Sequence, residues 1–164
     1  MNSRQITVER FDLVTGKSFD EVLLALEKGI GRLDMSKYRE QKATTQSFEK
    51  YAAFVEAAAG PSGLMEFIRF DQGAVLRADP AAKAFQLVRI VAGNPLIMKQ
   101  MAEHCPDAGS YAPVTILVSE RTDGVHLSYD SMSSYLAPYQ NAKALEVAKA
   151  LDEKVLKLLE QAAG

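Results

Sequence analysis

His104 and Cys105 set the chain's one thiol beside an imidazole, the only adjacent soft nucleophile and base it contains. Such a pair would do nucleophilic chemistry, the base drawing the proton from the thiol. Neighbours on a helix, however, point about 100° apart, and catalytic Cys–His pairs meet through the fold rather than through adjacency. Cys105 therefore reads as a small apolar residue near a helix end. His104 reads as a last-turn group favoured by the helix dipole. A second constellation is His126, Ser128 and Asp130, which share one strand face at i, i+2 and i+4. A serine relay needs hydrogen-bond contact, whereas such positions lie about 6.6–7 Å apart along a strand. With Arg121 across from His126, these residues read as a solvated sheet face.

Carboxylates and tyrosines supply the remaining candidates. Glu120 falls on the apolar side of its strand beside Leu127, where burial would raise its pKa and suit it to acid or base work. Asp71 is the second carboxylate considered for that role. Tyr129, Tyr135 and Tyr139 are half of the six tyrosines and cluster in one short stretch; such rings with polar tips line sites and interfaces, or simply pack a sheet edge. Asn94 joins them, although its type also suits a helix cap. The ligand-binding candidates are thus Asn94, Glu120, Tyr129, Tyr135 and Tyr139, with no catalytic residue assigned. Met98, Met101 and Met132 read as core filler. Two histidines and one cysteine do not close a four-ligand zinc site. His-x-x-x-His, Cys-x-x-Cys, Walker, Gly-x-Ser-x-Gly and dinucleotide glycine patterns are all missing, so neither metal nor cofactor is expected.

The elements that must position these residues follow from periodicity. Arg4 to Val14 reads as a strand whose apolar phase changes between Val8 and Phe11, implying a bulge near Glu9–Arg10. Ser18 and Glu21 form a capping box ahead of a helix with Phe19, Val22, Leu23, Leu26 and Ile30 on one face. Asp34 to Thr45 is polar, a loop or short helix. A further helix places Phe48, Tyr51, Ala52, Val55 and Ala59 together and ends at Gly60-Pro61-Ser62-Gly63. Leu64 to Phe70 is a strand. Beyond it, Gln72-Gly73 turns a hairpin or Asp71 caps a short helix. Ala84 to Ala92 is the next strand, and Asn94-Pro95 starts a helix that stops before Pro106. Pro113–Glu120 and Val125–Asp130 alternate as a hairpin around Asp123-Gly124, with Val114, Ile116, Val118, Val125, Leu127 and Tyr129 on one face. From Asn141 a long amphipathic helix carries Leu145, Ala148, Leu151, Val155, Leu158 and Leu159.

This order predicts an α+β fold, a mostly antiparallel sheet covered by helices on one face. The chain of 164 residues suits a single domain over 1–164. Its 48% hydrophobic and 24% charged residues are those of a packed protein, which excludes disorder and a disulfide-stapled miniprotein. Lys and Arg total 19 against 21 Asp and Glu, net −2, so no basic stripe points to nucleic acid. The N-terminal residues Met1-Asn2-Ser3-Arg4-Gln5 lack a signal-like apolar core, and no apolar run is long enough to span a membrane. A lone cysteine asks for no oxidising compartment, so a cytoplasmic protein is expected.

Gly93-Asn94-Pro95 after a strand, then Pro113-Val114-Thr115-Ile116-Leu117-Val118-Ser119-Glu120, then Val125-His126-Leu127-Ser128-Tyr129 leading into Tyr135-Leu136, together resemble the domain-of-unknown-function 302 family. The resemblance implies a fold similar to the TATA-binding-protein-like class. It also implies a short helix after Asp71 and a tendency to homodimers. Against that family's pattern, residues 34–63 read as a helical insertion. The expected function is a non-enzymatic module that binds a small apolar ligand or another protein. The alternative is a small enzyme using carboxylate acid–base chemistry at Glu120 or Asp71. A cleft shared by those two carboxylates would favour the enzyme.

Overall fold

The hairpin at Asp123-Gly124 lies inside a six-stranded sheet in a computed structural model that describes residues 3–44 and 47–164. The strands are β1 (Arg10–Thr15), β2 (Gly31–Arg32), β3 (Met65–Asp71), β4 (Leu87–Gly93), β5 (Val114–Arg121) and β6 (Gly124–Asp130). Their order across the sheet is β1-β6-β5-β4-β3-β2. Every neighbouring pair is antiparallel except β2 with β3. The expected faces hold, but the pairing is displaced by two residues, because the turn closes between Arg121 and Gly124: Ser119, not Arg121, faces His126, and Val118, not Glu120, faces Leu127, with Ile116 opposite Tyr129. Gly124 makes the turn at φ 139°, a region open to glycine, and a Cβ there would lie 2.6 Å from the Thr15 carbonyl oxygen.

Among the described residues, seven α-helices accompany the sheet: α1 (Phe19–Gly29), α2 (Met35–Thr44), α3 (Phe48–Ala58), α4 (Gly73–Ala78), α5 (Pro95–Ala102), α6 (Met132–Leu136) and α7 (Ala142–Ala163). The fold is α+β. Both bonds of the Ser18–Glu21 capping box are present at the start of α1. Asn94 caps α5, its Oδ1 accepting the Leu96 N–H at 2.8 Å while its Nδ2 donates to the Gly63 carbonyl at 3.0 Å. After β3 the chain forms a helix, not a hairpin. Asp71 supplies the capping bond, its Oδ1 accepting the Ala74 N–H at 3.0 Å, although Gln72 occupies the N-cap position.

Several expectations are corrected. The first strand begins at Arg10 and pairs with β6 in unbroken register. The change of apolar phase marks where pairing begins, and no bulge is needed to explain it. The bulge lies instead in β3, where the register shifts between Glu66 and Ile68 and leaves Phe67 unpaired. The Asp34–Thr45 stretch is helical as far as Thr44; Thr45 lies outside the described residues. Phe48 is exposed rather than packed, and Val55 is the fully buried residue of α3. His104 lies beyond the end of α5. The pairing of β2 with β3 joins two residues too short for any periodic signal to reveal.

Apolar side chains of alternate strand positions form one core with α1, α5 and α7. Val88, Ile90, Ala92, Val114, Ile116, Val118, Val125 and Leu127 point into it. Arg69 ties α1 to β3 through Glu27 at 2.7 Å and Glu66 at 2.6 Å. The opposite sheet face is uncovered, which leaves Val14, Ile68, Phe70 and Arg89 exposed. In α7, Ala148, Leu151, Val155, Leu158 and Leu159 are buried within the monomer, while Leu145 is only half-buried. Truncating Leu151, which is 3% exposed, should therefore create a cavity. Leu151→Ala should cost about 2–5 kcal/mol in urea unfolding, and the loss should not vary with protein concentration.

Candidate functional site

Around the hairpin, the residues with chemical potential separate into a buried knot, a polar cluster and two cavities. The knot starts on α7. Asp152 lies on its buried side at 7% exposure. Its Oδ1 accepts from the Tyr129 hydroxyl at 2.6 Å and the Met132 N–H at 2.8 Å, and its Oδ2 accepts from the Ser133 N–H at 3.0 Å. A carboxylate at a helix N-terminus is favoured by the exposed N–H groups there, so Asp152 holds the first turn of α6 against β6. Burial and the adjacent Asp152 charge push the Tyr129 phenol far above its ordinary range. Tyr129 thus acts in the fold as a donor to Asp152 and also lines a cavity.

The polar cluster lies on the uncovered face. His126, Ser119 and Ser128 are buried there rather than solvated, because side chains of neighbouring strands close over them. His126 Nδ1 lies 3.0 Å from Asp12 Oδ2, and Nε2 lies 2.9 Å from Asp123 Oδ1. Both ring nitrogens face carboxylate oxygens, so only the imidazolium can donate to both. The hydrogen bonds to Asp12 and then Asp123 raise the His126 pKa above its ordinary 6.5. Burial opposes ionisation of Asp12, but hydrogen bonds from Ser128 and His126 hold it below the usual carboxylate range. The His126 bond likewise lowers Asp123, and Arg121 stands 3.6 Å from Asp12. The Ser128 hydroxyl donates to Asp12 at 2.6 Å, not to His126, so the imidazole does not act on it.

The first cavity, called here the outer cleft, has a volume of about 500 Å³ and lies at the uncovered face. Arg10, Arg89, Thr115, Leu117, Tyr111 and Tyr135 are among its lining residues. Tyr135 stacks on Tyr111 with ring centroids 4.7 Å apart and planes at 12°. The Tyr139 hydroxyl meets that of Tyr111 at 2.8 Å, and the Arg4 guanidinium lies 4.3 Å from the centre of the Tyr139 ring. The second, inner cavity of about 250 Å³ is lined chiefly by apolar groups: Phe67, Pro95, Met98, Met101, Ala112 and Leu151. Tyr38 of α2 reaches it, stacked on Phe54 and edge-on to Phe67, its hydroxyl 3.0 Å from that of Tyr51. The β3 bulge leaves Phe67 unpaired with the ladder. Gly93 makes room: a Cβ there would stand 3.3 Å from Pro113 Cβ and 3.5 Å from Phe67 Cε2.

The candidate residues are therefore dispersed. Tyr129 and Tyr135 line the outer cleft, Tyr139 supports it through Tyr111, and Asn94 lines the inner cavity. Glu120 is exposed at a groove with Lys83, Phe85 and Leu87, accepting the Gln86 N–H at 3.1 Å. Asp71 takes no part in that groove and pairs with Arg77 at 2.5 Å. Met101 and Met132 are core, while Met98 is half-buried at the inner cavity. Sequence reasoning missed Arg89, Tyr111, Tyr38 and Asp152. Only Asp152 carried a signal, as a charge interrupting the apolar side of α7.

A family described as a domain of unknown function, DUF302, matches residues 40–162, a span that takes in residues 40–63 and begins after β1 and α1. The crystal structure of an uncharacterized conserved DUF302 protein from Bacillus stearothermophilus is similar with a TM-score of 0.65 at 10% identity, covering 93% of this chain and 97% of that one. At that identity the likeness is one of fold. No curated protein matches. Among the described residues, no helix is long and apolar enough to cross a membrane.

Two measurements probe the knot and the cluster. Asp152→Ala strands a buried phenol and two N–H groups, and should cost about 2–4 kcal/mol, more than Tyr129→Phe at about 1–2 kcal/mol; urea unfolding of both ranks them. For His126 the raised folded pKa means its contribution is complete below about pH 6.5 and is lost as pH rises through the folded value. The lowered carboxylate pKa values mean the contribution is also lost as pH falls through them in acid. The urea-midpoint gap between the natural protein and His126→Gln should be widest near about pH 5–6 and should narrow toward about pH 9.

Proposed function

The chain belongs to the DUF302 family, and we propose that this member is a non-enzymatic binding module that holds one small apolar molecule in the inner cavity. The lining of that cavity carries the proposal. Its walls are Phe67, Pro95, Met98, Met101 and Leu151, and its one side-chain amide, Asn94, already bonds Leu96 and Gly63. A ligand there is recognised by shape and by desolvation, with no polar partner required. Methionine adapts to irregular apolar shapes, which suits such a wall. Tyr38 closes one side of the cavity, packed against Tyr51, Phe54 and Phe67.

The enzyme alternative has less support. Asp71 and Glu120 end at separate hydrogen bonds, and they converge on no common cleft. Neither has the apolar enclosure that general acid–base chemistry at neutral pH asks of a carboxylate.

The test uses the uncharged fluorophore N-phenyl-1-naphthylamine, followed by emission in a protein without tryptophan. Gly109 lines the cavity, and a Cβ there would meet nothing within 4 Å, so Gly109→Leu adds bulk without a backbone clash. Saturable emission should appear with the natural protein and weaken about tenfold or more in Gly109→Leu, with the unfolding midpoint unchanged. Absent saturation, or equal affinity in both proteins, would sink the proposal.

A further inference from the structure

Arg89 stands near the middle of the uncovered sheet face with its charge unanswered. Its Nη2 donates to Thr115 Oγ1 at 3.2 Å, and among the described residues no carboxylate lies within ion-pair reach of it. Arg10, at the same cleft, differs: Nε and Nη2 bond both oxygens of Asp130 at 2.6 and 2.8 Å. That bidentate pair is neutral in sum, and the hydrogen bond from Arg10 holds Asp130 below the usual carboxylate range. The lining of the outer cleft contains no further acidic residue. Its balance is therefore one free positive charge, carried by a planar fork that matches a carboxylate in two-point contact.

The rest of the lining describes the body attached to that anion. Leu117 pairs across from Arg89 and supplies an apolar floor. Tyr111 and Tyr135, stacked on each other with ring centroids 4.7 Å apart, form an aromatic pair at the cleft, braced by Tyr139. A further aromatic ring extends such a pair by offset or edge-to-face contact. Thr115, whose oxygen accepts from Arg89, keeps its own proton for donation to an anionic oxygen. We propose that the outer cleft is a second binding site, which takes a small aromatic carboxylate with its anionic group on Arg89 and Thr115 and its ring against the stacked Tyr111–Tyr135 pair.

This site differs from the inner cavity in chemistry as well as position, although the two adjoin at Pro113 and Val114. The apolar cavity asks for an uncharged molecule; the cleft asks for an anion. Either assignment can fail without the other.

Benzoate is the probe, with phenol as its uncharged counterpart, titrated into the labelled full-length chain and followed by NMR. Saturable shifts should centre on the Arg89 side-chain N–H and the amides of Thr115, Leu117 and Tyr111. Arg89→Gln should weaken benzoate about tenfold and leave phenol unchanged, with Arg89→Lys between the two. Arg89 is exposed, so these variants should retain the natural unfolding midpoint. Benzoate should not displace N-phenyl-1-naphthylamine. Equal affinity for phenol and benzoate would overturn the anionic assignment. So would unaltered benzoate affinity in Arg89→Gln, and the absence of saturable shifts would overturn the site. Displacement of the fluorophore by benzoate would also count against it, because the two ligands would then share one cavity.

Discussion

A carboxylate buried on the apolar side of α7 is the constraint around which the rest is arranged. An uncompensated charge in that position would be strongly destabilising. Asp152 is compensated by one phenol and two backbone N–H groups, and those donors come from β6 and from the start of α6. Satisfying it sets the rotation of α7 about its own axis, because turning the helix would break three bonds at once. It also determines where the chain leaves β6. The α6 turn then carries Tyr135 onto Tyr111, so the wall of the outer cleft depends on the same carboxylate.

The two faces of the sheet obey different rules. On the covered face, alternate residues from β4, β5 and β6 enter a core with α1, α5 and α7, where hydrophobic burial dominates. On the uncovered face no helix supplies that burial. Its polar groups answer one another instead: Asp12 holds both Ser128 and His126, and Asp123 takes the other ring nitrogen. Such an arrangement ties β1 to β6 and points the His126 imidazole at carboxylates rather than at the Ser128 hydroxyl. Arg89 bonds a hydroxyl and, among the described residues, meets no carboxylate, so its charge stays available.

Both cavities arise where regular structure is interrupted. The inner one sits beside the β3 bulge and the bare backbone of Gly93, two features that let Phe67 and Pro113 approach each other. The outer one opens where β5 begins, β6 ends and the α6 turn starts. The likeness to another DUF302 structure at 10% identity concerns the fold. Function must therefore be argued from the sites themselves.

The hydrophobic periods of two and 3.6 residues were enough to place the hairpin, its two faces, α1 and α7, because each of those elements buries a continuous face. Caps were equally legible: Ser18 with Glu21, and Asn94 before Pro95, act through neighbours only a few residues away. The resemblance to the family was also carried by such local punctuation. What sequence could not place were the partners of Tyr129, His126 and Arg89. Tyr129 reaches Asp152 across 23 positions and His126 reaches Asp12 across 114. Burial of His126 depends on side chains arriving from another strand, so its alternating position alone read as solvated. The five candidate ligand residues were chosen for type, and tertiary packing scattered them. Periodicity reports which face of an element is buried; only the closed fold decides which groups meet there, since contact between distant segments leaves no repeat in the chain.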